Sequence, residues 1–251
     1  MRRSHLHPVI AFALLCLVTR IHAANDQNAH LWFAYAGDHP IAGSPWGLHL
    51  ESQVRRADFG SDWQQFLVRP GINYSIHPQL MLSAGYAYVD THRYGFRPAR
   101  ADFPEHRGWQ QVLWTVPVFG RDWVNRFRLE QRNIGEMSPL DEGRFEVGRY
   151  RYENRFRYML RTTVPAPWNS RDYFIAWNEI YINFGSHVGR NTFDQNRAFI
   201  GLGRRLSDHF RLEIGFLEQT LQQRDGRVWE HNHTLSISLL SNFPFGTRAT
   251  P

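Results

Sequence analysis

The chain has 251 residues, with 29 arginines and no lysine against 23 acidic residues, 15% aromatics and one cysteine. That length allows one large domain or two small ones, and a formal charge of +6 suits anionic partners without choosing among nucleic acid, lipid phosphate and acidic sugars. A lone cysteine excludes a disulfide framework and a thiolate metal site, and the absence of any run of about 18 apolar residues excludes a helical membrane protein.

The chain begins MRRSHLHP, a basic stretch, followed by the ten-residue apolar run VIAFALLCLV (9–18) and a small residue at Ala23. This is the layout of a secretory signal peptide, residues 1–23, with cleavage after Ala23 leaving 251 − 23 = 228 residues. A retained anchor is the competing reading, but the run is short for a span. Cys16 lies inside it, and Leu15 stands where a lipoprotein acceptor needs a small residue. Residues 24–45 contain LWFAY (31–35) and then GDHP (37–40), and are expected to be an N-terminal lead-in or accessory strand.

From residue 46 on, runs with period-two alternation are separated by turn signals. WGLHLESQVRR (46–56) sets Trp46, Leu48 and Leu50 against His49, Glu51, Gln53 and Arg55. The following runs, 63–76, 79–92, 106–118, 123–133, 147–164, 172–185, 194–206, 209–221 and 230–243, bring the count to ten. Tight turns are expected at 77–79, 119–122, 165–170 and 207–209, and longer polar links at 93–105, 134–146, 186–194 and 222–230. Short and long links alternate, as in a membrane barrel with periplasmic turns and extracellular loops.

The run RYRYENRFRYML (149–160) tests this reading. Across 149–164, six of eight odd positions are charged and six of eight even positions are apolar or aromatic. On a helix the arginines would spread around the cylinder, whereas on a strand they share one face and the aromatics the other. A nucleic-acid surface needs arginine and aromatic rings side by side, so nucleic acid is not expected as a partner. The expected fold is all-β: a single antiparallel transmembrane β-barrel of about ten strands over 46–243, or twelve if a strand is hidden, followed by a C-terminal tail, 244–251. Only a closed sheet leaves no unpaired edge in hydrocarbon. An even count puts both ends in the periplasm, and counting 31–35 into the barrel would start the chain outside.

GDHP (37–40), RPGINYSIHPQLMLSAGYAY (69–88), PEHRGWQQ (104–111), RFRLEQR (126–132) and FDQNRAFIGLGRRL (193–206) resemble domain-of-unknown-function family 2490, over about residues 32–243. The resemblance implies bacterial secreted proteins that look like outer-membrane barrels. It implies no activity and transfers no catalytic residue.

The inward phase gathers a candidate lumen charge network: Arg126, Arg128, Glu130 and Arg132 on one strand, and Arg149, Arg151, Glu153, Arg155 and Arg157 on the next. Glu179, Arg197, Arg211 and Glu213 extend it on later strands. The plain reading is that these pairs fill the lumen, because a dry charge must be paired. The sharper one is a lumen that takes a small anionic solute. HNH (231–233) puts two histidines on one strand face without a third ligand, so no metal is expected. FDQNR (193–197) reads as strand-start hydrogen bonding or a ligand contact at the outer mouth, and GDHP and PEHR read as turn and strand-start chemistry. No catalytic motif and no cofactor site emerge. The expected protein is a non-enzymatic outer-membrane barrel, structural or solute-interacting, whose partners are outer-membrane lipid and the barrel-assembly machinery. The alternatives are a lipid-modifying barrel enzyme and a soluble periplasmic β-sandwich or lipocalin-like binder.

Overall fold

The computed structural model describes residues 25–96 and 98–246. The expected signal peptide and the last five residues of the expected tail lie outside the described residues. Eleven strands form one closed barrel: β1 Asn25–Pro40, β2 Trp46–Ala57, β3 Asp62–His77, β4 Leu80–Thr91, β5 Phe103–Val118, β6 Arg121–Pro139, β7 Phe145–Pro165, β8 Asp172–Phe184, β9 Phe193–Arg205, β10 Phe210–Gln222 and β11 Trp229–Ser241. No helix among these residues is long and apolar enough to cross a membrane.

β2 to β11 are the ten expected runs, paired in sequence order as antiparallel neighbours. The count differs by one because the segment expected to be a lead-in is β1, a full strand of the wall. It pairs antiparallel with β2 and parallel with β11, in register from Asn25↔Trp229 to Gly37↔Ser241. An odd number of strands can close only through one parallel pair. GDHP accordingly lies in β1 rather than in a turn: Asp38 faces inward beside His49 Nδ1 (2.7 Å) and accepts from Asn73 Nδ2 (2.9 Å).

The seam continues past the end of β11. Phe245 N–H donates to Pro40 O at 2.9 Å, and Ala42 N–H donates to Phe245 O at 3.0 Å. His39 is covered there by the Phe245 ring, with centroids 5.1 Å apart, and its Nδ1 lies 2.8 Å from Phe243 O.

The links fall into two sets. Those after odd-numbered strands, 41–45, 78–79, 119–120, 166–171 and 206–209, lie at the end where β1 and β11 stop. Those after even-numbered strands, 58–61, 92–102, 140–144, 185–192 and 223–228, lie at the end where β1 starts. At 119–120, one of the two two-residue links, Phe119 and Gly120 both take positive φ, 52° and 72°, the backbone of a tight hairpin turn.

Period two sorts the side chains. Leu48, Leu50, Ile72, Leu82, Phe156, Ile200, Leu202, Ile214, Phe216 and Leu235 are exposed on the outside. Trp46, Tyr74, Trp114 and Phe174 edge this band toward the short-link end, and Tyr86, Tyr150 and Tyr152 edge it toward the other. Inside, two flat aromatic platforms rest on glycine. A Cβ on Gly71 would stand 2.5 Å from Trp109 Cζ2, and one on Gly203 would stand 2.3 Å from Tyr173 Cζ. Only glycine lets these rings lie against the wall. Trp32, Tyr173, Ile175, Phe199 and Leu217 form an apolar patch on the lumen side of β1 and β8–β10.

Candidate functional site

Strands β6 and β7 carry the centre of the interior. Their register sets Glu130 opposite Arg155 and Arg128 opposite Arg157, so inward positions meet in rows. Glu130 has 0% exposure. Its Oε2 accepts from Arg155 Nη2 at 2.5 Å, and its Oε1 accepts from Arg157 Nη1 at 2.7 Å and from Arg69 Nη2, on β3, at 3.3 Å. Arg107 approaches to 4.0 Å. A carboxylate removed from water is tolerated only when cations and donors replace the lost hydration, and here four guanidiniums do so.

From this centre the pairs run across the lumen. Arg157 also holds Glu179 (2.9 Å), which Arg126 reaches at 2.8 Å and to which the Tyr181 hydroxyl donates at 2.7 Å. Arg155 Nη1 donates to Asp194 at 2.9 Å. Arg69 pairs with Glu51 at 2.5 Å, and Arg128 stands 3.8 Å from the same carboxylate while donating twice to Gln111. Arg132 clamps Glu105 at 2.5 Å together with Arg107 at 2.7 Å, and Glu153 takes Arg151 at 2.7 Å with Arg132 at 3.8 Å. Glu213 joins Arg161 and the Tyr173 hydroxyl.

The structure therefore brings together Arg126, Arg128, Glu130, Arg132, Arg151, Glu153, Arg155, Arg157 and Glu179, and puts Glu213 in a satellite pair. Two expected members stand apart. Arg149 is 80% exposed at the long-link rim, pairing with Glu136 at 2.6 Å. Arg211 is exposed toward the short-link end and makes no ion pair among the described residues. Arg197 is buried but has no carboxylate within 4 Å among the described residues. Glu51, Arg55, Arg69, Glu105, Arg107, Arg161 and Asp194 were missed, although each is in phase with an inward face. They come singly or in twos from different strands, and a network assembled by barrel closure leaves no local cluster in the chain.

Above this ionic layer, toward the long-link end, is a cavity of about 380 Å³. Seven arginines line it, Arg55, Arg69, Arg107, Arg132, Arg155, Arg157 and Arg197, against four carboxylates, Glu51, Glu105, Asp194 and Glu230. FDQNR supplies three of the lining groups. A register shift opposite it, between Tyr181 and Ile182, accompanies the burial of both Asp194 and Gln195. The 92–102 link contributes His92, Tyr94, Pro98 and Ala99 to the mouth. Burial beside Glu230 raises the Tyr94 phenol above its ordinary range. It therefore stays protonated and donates to Glu230 Oε1 at 3.0 Å.

A second polar group lies on the outer face. His231 and His233 share that face, and Glu218 lies 3.3 Å and 2.6 Å from their Nδ1 atoms. Thr220 Oγ1 approaches the same Nδ1 of His231 at 3.4 Å. One ring nitrogen facing both acid and hydroxyl cannot relay a proton between them, so the arrangement is not that of a hydroxyl–His–acid nucleophile. Among the described residues no group of three His, Cys, Asp or Glu could hold a metal ion.

Residues 29–230 match the model of a family described as protein of unknown function (DUF2490). An uncharacterized protein of Methylorubrum extorquens is 29% identical, with the match covering 94% of this chain and 99% of that one. A solved structure of the NanC porin in a rhombohedral crystal form shares 13% identity at a TM-score of 0.43, covering 79% of this chain and 91% of that one. With four-fifths of its length matched by one family model, the chain belongs to the DUF2490 family of proteins of unknown function.

Proposed function

We propose that this protein is secreted with a cleaved signal peptide and spans the outer membrane. In this reading its lumen is closed at mid-height by paired charges, and the long-link end holds a pocket for a small solute. The exposed apolar band between two aromatic rows supports the membrane reading, since soluble domains rarely expose apolar patches of more than a few hundred Å². The observation that carries the functional reading is the arginine-lined cavity, whose floor is the cross-lumen layer from Arg69 through Glu130 to Arg157 and Glu179. The barrel is then a receptor-like or structural element rather than a through-channel, acts without catalysis, and contacts outer-membrane lipid and the assembly machinery.

Two measurements test this. Carbonate-washed outer membranes should retain the protein. In planar bilayers the purified protein should give no stepwise conductance. Steady single-channel currents would show that the ionic layer does not close the lumen. Unchanged outer-membrane lipid in a deletion strain is expected, and a missing lipid modification would favour the enzyme instead.

A further inference from the structure

The arginines of the cavity are not equivalent. Arg69, Arg107, Arg132, Arg155 and Arg157 each have a carboxylate within 3 Å. Among the described residues Arg55 and Arg197 have none within 4 Å, although both line the cavity and are only 7% and 8% exposed. Their partners are neutral. Arg55 Nε and Nη2 donate to Gln53 Oε1 at 2.9 and 2.5 Å, and its Nη1 donates to Gln65 Oε1 at 2.6 Å. Arg197 Nε donates to Gln195 Oε1 at 2.9 Å, and its two terminal nitrogens find no protein acceptor among the described residues.

Both guanidiniums pack on one ring. Arg55 Cζ lies 4.2 Å from the centroid of Trp32, and Arg197 Cζ lies 5.0 Å from it. Trp32 is pinned by its indole N–H to Gln64 Oε1 at 2.7 Å, and Gln195 Oε1 also accepts from Gln219. Tyr181 flanks Arg197 at 4.9 Å. Glu230, the acid of the mouth, is engaged by Tyr94, Asn232 and Gln223. Two buried cations held in place by amides and rings, but not neutralised, are a costly arrangement unless an anion completes it.

The geometry points to an oxyanion site between Arg55 and Arg197 against Trp32, which takes the carboxylate or phosphate group of a small solute entering at the long-link mouth. The planar fork of arginine suits both groups. The cavity, about 380 Å³, is at the lower end of ligand pockets, about 300–1,000 Å³. This deepens the pocket reading above and is independent of whether the lumen conducts.

The test is calorimetric titration of the purified full-length protein in detergent with inorganic phosphate in one arm and acetate in the other, with chloride as the ionic control. Saturable binding is expected in at least one arm, and its preference assigns the group. Arg197→Gln and Arg55→Gln should weaken it by about tenfold or more, and Arg211→Gln, at the opposite end, should leave it unchanged. Heat-modified gel mobility checks folding. Should Arg197→Gln not fold, Arg197→Lys keeps the charge and loses the fork, and weakened binding is again expected. No saturable binding in either arm, or wild-type affinity in the folded Arg197 variant, overturns the site. Phosphate or acetate binding by a conducting barrel would overturn the closed lumen and leave the site standing. A silent barrel that binds neither would do the reverse.

Discussion

On the β3 and β5–β7 side of the lumen, Glu130 is enclosed by Arg69, Arg107, Arg155 and Arg157. On the β1 and β8–β10 side, Trp32, Tyr173, Ile175, Phe199 and Leu217 pack as hydrocarbon. Both regions bury large side chains in the same narrow space, but they fail differently. Apolar packing is a sum of small contacts and degrades by increments. An ionic cluster is balanced as a whole, and the loss of one central charge leaves several opposite charges dry.

The sharpest way to break the comparison is Glu130→Ala, which should cost about 3–5 kcal/mol by leaving its arginines uncompensated. Denaturant unfolding in lipid or detergent measures it, and a loss below that of a conservative change in the apolar patch would refute the asymmetry. Glu153→Ala should cost less, because Arg151 keeps Glu136 at 2.9 Å and Arg132 keeps Glu105. Next comes Ile175→Val, a one-methylene change in the apolar patch, at about 0.5–1.5 kcal/mol by the same measurement.

The smallest effect lies at the mouth. Burial opposes ionisation of Asp102, but the Arg93 N–H at 2.9 Å and the His92 ring at 2.8 Å outweigh it and hold the carboxylate below its usual range. A depressed carboxylate pKa means that the clamp on the 92–102 link is intact above the ordinary value of about 3.9. It is lost as the pH falls through the lower, folded value. The Arg93 amide proton should titrate with a midpoint below about 3.9 in an NMR pH series, and a midpoint at or above that value contradicts the clamp.

Much of the wall was legible because alternation is written locally. Strand β7 was expected at 147–164 and spans Phe145–Pro165, with Tyr150, Tyr152 and Phe156 exposed and Glu153, Arg155 and Arg157 buried, as phase required. β1 was not legible as barrel wall. Its first half, NDQNAH, is polar, its end contains Gly37 and Pro40, and its parallel partner lies some 200 positions away. The site followed the same division. The β6–β7 charges were visible as neighbours in the chain, whereas Arg55 and Arg197 meet only through Trp32 on β1, the strand that the pattern left out.

The parallel seam also bears on the order of assembly. Ten of the eleven strand pairings are between consecutive strands and can form by hairpin growth, one link at a time. The eleventh joins the two ends of the sheet and meets the largest loop-closure entropy in the molecule. Because β1 and β11 run the same way, the start of β1 must emerge on the face opposite the end of β11. Parallel pairing is slightly weaker per residue. The last pairing to form is thus also the natural first to part, and Phe245, bonded to Pro40 and Ala42, clips it shut.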